Sequence, residues 1–175
     1  DKHGLSPSSG NHIYNNVVVG MSVNFNCRES KNSGGALIDT LVANNTFVNA
    51  TNINVKIPAA SHKSSRFINN LVVQDKGKIV TLPGGKGVTI ANNLWSKSPG
   101  VAGEAVGDAR LVNHGVSLGA AAWVGNYALT EGSALAIGKA RPLVDVATDY
   151  NGEARGDTPS LGAFEWVGEV VEPEE

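Results

Sequence analysis

Apolar and polar positions along the chain keep returning to one short phrase: an apolar pair, two asparagines, then two or three apolar or β-branched residues. It stands at Ile13-Tyr14-Asn15-Asn16-Val17-Val18-Val19 and returns around Asn44-Asn45-Thr46-Phe47-Val48. It returns again at Phe67-Ile68-Asn69-Asn70-Leu71-Val72-Val73 and at Thr89-Ile90-Ala91-Asn92-Asn93-Leu94-Trp95. The first asparagines, at 15, 44, 69 and 92, lie 29, 25 and 23 residues apart. That is a repeat of solenoid length with loop insertions that shrink along the chain. Alternating runs follow the phrase at Ser22–Cys27 and Ile53–Ile57, placing Val23, Phe25 and Cys27 on one face of a strand.

The pattern predicts stacked coils of short strands. Asparagine tolerates the left-handed backbone region better than most residues, so one member of each pair can turn the chain between strands. The other can stack: at a coil spacing of about 4.8 Å, equivalent amides fall into register and hydrogen-bond along the stack. The ladder is assigned to Asn15, Asn44, Asn69 and Asn92. An antiparallel meander is the alternative, but hairpin turns prefer Asn-Gly, and here each pair runs straight into another apolar segment. About four to six coils are expected in all, with residues 1–107 forming the run of coils. Residues 108–166 would hold the last coil or coils and a C-terminal cap, and 167–175 an acidic tail or linker. In this last region Ala120–Trp123 and Ser133–Gly138 fit a helical turn or a strand equally, Asp149–Arg155 a tight turn, and Leu161–Trp166 a final strand.

Composition sharpens this. The 175 residues hold 21 glycines, only 17% charged and 6% aromatic residues, an all-β and turn-dense profile. A formal net charge of −2 offers no basic field for nucleic acid, and no apolar run approaches a membrane span. Cys27 is the single cysteine, so no disulfide framework or thiolate cluster exists within the chain. The chain starts at Asp1, inside the repeat pattern. An excised piece of a longer protein is expected over removal of a leader. The open N-terminal coil would then be covered by the rest of the parent chain or by another copy.

Four later segments carry a resemblance. Asp108-Ala109, Gly132–Gly138, Asp149–Arg155 and Gly162–Glu165 resemble the ending of secreted right-handed parallel β-helix proteins of the polysaccharide-lyase-like group. That group contains alginate lyases and chondroitinase B, with related uncharacterised surface β-helix proteins. Its ending reads as an Asp-Pro strand, a Gly-Ser-Pro-Ala-Ile-Asp-x-Gly phrase, an Asp-x-x-Gly-x-x-Arg turn and a Gly-Ala-x-Glu strand. This chain has Ala109 and Ala134 where the prolines stand and lacks the acidic residue of the second phrase. The resemblance implies an extracellular, carbohydrate-directed β-helix section with polysaccharide as its partner. It carries over no catalytic residue, because the family's lyase groups sit on coils upstream of this ending. The alternative is a structural or adhesive surface module that assembles end to end.

Chemistry has few candidates. A uronate lyase needs a base near neutral pH and a cation to neutralise the carboxylate; Arg28, Lys56, His62, Lys63 and Arg66 are the densest such groups, and Lys56 would lie one coil from Arg28 or Lys78. Trp95 is the candidate sugar-stacking platform, whereas Trp123 and Trp166 would cover the C-terminal end of the coil. No cofactor is expected; Asp149, Asn151 and Glu153 have the alternate spacing of a Ca²⁺ loop but lack its later bidentate acid. The cap would rest on Asp149, Arg155, Glu165 and Trp166, with Arg155 pinned to Asp149 or Glu165. Arg155-Gly156-Asp157 spells an adhesion tripeptide, and Asn44, Asn45 and Asn49 lie in or beside formal glycosylation signals.

Overall fold

A computed structural model describes residues 8–27, 35–82, 86–117 and 123–168. Twelve short strands carry the fold: β1 (His12–Tyr14), β2 (Val17–Val19), β3 (Val23–Asn26), β4 (Leu41–Ala43), β5 (Thr46–Val48), β6 (Ile53–Lys56), β7 (Ser65–Ile68), β8 (Leu71–Val73), β9 (Lys78–Thr81), β10 (Val88–Ala91), β11 (Leu94–Trp95) and β12 (Ala105–Val106). The only helical element among the described residues is one 3₁₀ turn at Val124–Tyr127. The strands form three sheets in the orders β1-β4-β7-β10, β12-β11-β8-β5-β2 and β3-β6-β9. Every pairing is parallel. The chain therefore visits the three sheets in turn, and through β11 each strand pairs with the one three places on. This topology is compatible with a parallel β-helix and excludes the antiparallel meander. Each visit to all three sheets is called a level below.

Register puts like on like. Ile13, Val42, Phe67 and Ile90 form one cross-strand row, and Val18, Phe47, Val72, Trp95 and Val106 another. Through Trp95 these rows line the interior, where Phe25, Cys27, Val55, Ile57 and Val80 join them. Phe47 and Phe67 stack with centroids 6.0 Å apart, Phe67 and Trp95 at 5.8 Å, and Phe25 touches both phenylalanine rings. Aromatic pairs in such offset contact add about 0.5–1.5 kcal/mol beyond burial.

The asparagine pairs divide the labour described above. Asn15, Asn44, Asn69 and Asn92 have φ of 54°, 50°, 60° and 56° and make the left-handed corner. The uninterrupted ladder lies one residue further on. Asn16 Nδ2 donates to Asn45 Oδ1 at 2.8 Å, Asn45 to Asn70 at 2.9 Å and Asn70 to Asn93 at 2.9 Å. The same oxygens also accept the backbone N–H of the preceding level's second asparagine. The first asparagines bond one another only from Asn92 to Asn69 and from Asn69 to Asn44. The assignment of the ladder to them is corrected accordingly: the residue that turns the chain projects its amide outward, and its successor projects inward. A second amide pair, Asn24 to Asn54 at 2.9 Å, joins β3 to β6.

The segment after β12 departs most from expectation. Among the described residues no strand after β12 joins the three sheets. The segment crosses the levels along the side of the stack and uses the outward amides as its track. Asn92 Nδ2 donates to Lys139 O, Asn69 to Arg141 O, Asn44 to Ser160 O and Asn15 to Thr148 O. Leu161, Ala163 and Phe164 cover the outer faces of Val48, Leu71 and Leu94, while Leu143 and Val146 cover Leu41, Ala43 and Ile68. The expected final strand, Leu161–Trp166, bonds across levels instead, Gly162 N to Asn69 O and Ala163 N to Thr46 Oγ1. Ser133–Gly138 forms tight turns, with Ile137 N bonded to Ser133 O. Trp166 packs against this flank cluster, and Trp123 folds its ring against Gly125. Ala120–Ala122 and residues 169–175 lie outside the described residues.

Candidate functional site

The sequence-predicted groups do not converge. Arg28 lies outside the described residues. Lys56 pairs with Asn26 and Thr81, whereas Lys78 pairs with Ile53 at the opposite end of the same sheet, so the two lysines are not in line. Arg66 is exposed on β7, in a different sheet, paired with Leu41 and Thr89. Lys63 is exposed, and its backbone bridges to Ile38. His62 is buried, and both its ring nitrogens are committed: Nδ1 accepts Leu37 N–H at 2.9 Å and Nε2–H donates to Pro58 O at 2.7 Å. This pins the loop and leaves no nitrogen to take a substrate proton.

Trp95 is fully buried, stacked on Phe67, with Nε1 donating to Glu104 Oε2 at 2.7 Å. It belongs to the interior, and the assignment as a sugar platform is withdrawn. Glu104 was not anticipated. Its Oε2 also accepts Asn93 N at 3.2 Å and Asn93 Nδ2 at 2.8 Å, so a carboxylate takes the place that a fifth asparagine would hold.

Asp149, Arg155 and Glu165 form a clasp. Asp149 Oδ1 accepts Asn151 N at 2.7 Å and Glu153 N at 2.9 Å, and Oδ2 accepts Glu165 N at 2.8 Å. Three N–H groups aimed at this carboxylate suit an anion holding a turn; Ca²⁺ would face their hydrogens, so the site fits the metal poorly. No group of three metal-ligating side chains is present among the described residues. Arg155 donates to Glu165 Oε1, Asn15 Oδ1, Ser160 O, Gly162 O and Ala163 O, with 3% of its side chain exposed. Burial pulls the guanidinium below its ordinary value, while Glu165 and Asp149 push it back. A side chain so enclosed cannot present an adhesion tripeptide. Asn44 and Asn45 are likewise buried, and Asn49 Nδ2 donates to Asp75 Oδ2 at 2.8 Å and to His114 O at 3.3 Å, so none of these amides is free for a glycan.

Asn49 leads to the site that sequence reasoning missed. Where β8 and β11 end, an open cleft of about 370 Å³ lies between the stack and the crossing segment, lined by Val73, Gln74, Asp75, Ser96, Lys97, Gly107, Asp108 and His114. A smaller depression of about 230 Å³ adjoins it, sharing Gln74 and Asp75 and reaching Asn49, Thr51 and Lys76. Asp75 is the centre. Asn49 Oδ1 accepts its N–H at 2.9 Å in return for the bond to Oδ2, and Lys97 Nζ donates to its carbonyl at 2.8 Å. Asp75 Oδ1 lies 3.2 Å from His114 Nε2, with half of the Asp75 side chain exposed. Gln74, buried beneath, is spent on Ala50 N and O. The arrangement offers carboxylate, ammonium and imidazole groups on one rim, suited to hydrogen bonding of a polar ligand.

No protein family, no curated protein and no solved structure matches the chain.

Proposed function

We propose that the chain is a section of an extracellular, right-handed parallel β-helix protein directed at carbohydrate, and that its activity is binding. The segment after residue 108 serves in this reading as the closing element of the helix, laid along its flank. Three observations support it: the motif resemblance to the polysaccharide-lyase-like ending, the three all-parallel sheets, and the polar cleft at Asp75, Lys97 and His114. The cleft carries the functional part, because it is an open surface lined by hydrogen-bonding groups and continued by the adjoining depression. Binding is preferred to turnover because Lys56, His62, Lys63 and Arg66 sit on separate elements or are already bonded.

The test is a glycan panel that includes alginate, pectate, chondroitin and neutral plant and microbial polysaccharides. Retention of the chain on at least one polymer, reversed by its soluble oligosaccharide, is expected. A null result across the panel, with concentration-dependent filaments, would instead support a structural module built end to end.

A further inference from the structure

We infer that the cleft selects uncharged, hydroxyl-rich sugars over uronates; this rests on the carbohydrate reading above and adds its ligand class. Two carboxylates line the larger depression, Asp75 and Asp108. Of its two groups able to carry positive charge, Lys97 Nζ donates to Asp75 O at 2.8 Å and keeps two further N–H donors, and His114 Nε2 faces Asp75 Oδ1 at 3.2 Å. A ligand carboxylate entering here would meet two like charges against the single ammonium of Lys97, and such juxtaposition is a specificity device. Sugar hydroxyls fit the same groups. Each Asp75 oxygen holds a single nitrogen partner and keeps acceptor capacity for an O–H donor, and O–H bonds to a carboxylate are the short, strong kind. The adjoining depression shares Asp75 and adds Lys76, so a ligand of more than one sugar unit continues towards Asn49 and Thr51 and meets balanced charge there.

The experiment is calorimetric titration of the whole chain with matched oligosaccharides that differ only in oxidation of C6 to the carboxylate, drawn from the polymers the panel retains. The neutral member is expected to bind at least about tenfold more tightly, the scale of one charge-assisted contact. Asp75→Asn, which keeps shape and an acceptor, is expected to narrow that ratio, and Lys97→Met to weaken the neutral ligand about tenfold. Circular dichroism melts confirm that both variants fold. Equal or tighter binding of the oxidised member, or a ratio unmoved by Asp75→Asn, overturns the inference while leaving the carbohydrate reading in place. Binding of neither member in any matched pair overturns both.

Discussion

Asn70 shows what a single side chain does here. Its amide reaches Asn93 Oδ1 and the carbonyls of Val42 and Ile68, while its oxygen takes two N–H donors from Asn45. Asn70→Ala therefore strands the buried Asn45 N–H, at about 1–3 kcal/mol for each unsatisfied group. A fall in urea midpoint with an unchanged m value is the expected observation. Asn16→Ala, at the exposed first level of the same ladder, should cost less. Glu104 ends the same ladder, so Glu104→Ala should destabilise by a similar amount and Glu104→Gln by less, because a Gln oxygen still accepts. Tyr127 gives a pH signature. Its hydroxyl donates to Val116 O at 2.7 Å, and burial pushes the phenol above its ordinary value. The unfolded chain then loses its proton first as pH rises, so this contribution is complete below about pH 10 and declines above it. Tyr127→Phe should flatten the alkaline part of a stability–pH curve measured by denaturant titration.

Among the elements, the crossing segment depends on close approach to the sheets. Gly162 has φ of 84°, and a Cβ there would lie 2.6 Å from Leu71 Cδ1 and 2.7 Å from Thr46 Oγ1. Gly162→Ala combines backbone strain with overpacking, each of order 1–3 kcal/mol. Proteolysis within 139–165 should accelerate before the three sheets melt, and simultaneous loss of both would contradict a separately seated segment. Gly87 is the equivalent contact inside the stack, where a Cβ would sit 1.9 Å from His62 O. Elements also mark what was legible in the sequence. The asparagine phrase and the alternation around Phe25 and Val55 encode parallel levels, because each level repeats the same burial problem. The path of residues 139–165 was not legible, since its bonds go to asparagines 47 to 140 positions away and leave no local periodicity. The first asparagines form only the Asn92–Asn69–Asn44 part of a ladder, and the uninterrupted one lies a residue further on, because both asparagines of a pair look alike until one adopts positive φ. The cleft was missed because Asn49, Asp75, Lys97 and His114 are scattered polar residues that only stacking brings together.

At the scale of the molecule, a stack of parallel sheets and a segment laid across it meet at one polar edge, and the functional account depends on that edge. The flank cluster ties Ala109, Leu111, Tyr127–Leu129, Ala136, Ala140, Leu161, Ala163 and Phe164 to β2, β5, β8 and β11, and His114 lies three residues beyond Leu111. The amide spectrum of the whole chain, titrated with a neutral oligosaccharide that the panel retains, tests this most directly. The account predicts saturable shifts confined to residues 49–51, 73–76, 96–97 and 107–114. Shifts centred on the Lys56 face of the third sheet, or on the clasp around Arg155, with the cleft residues unmoved, would contradict it.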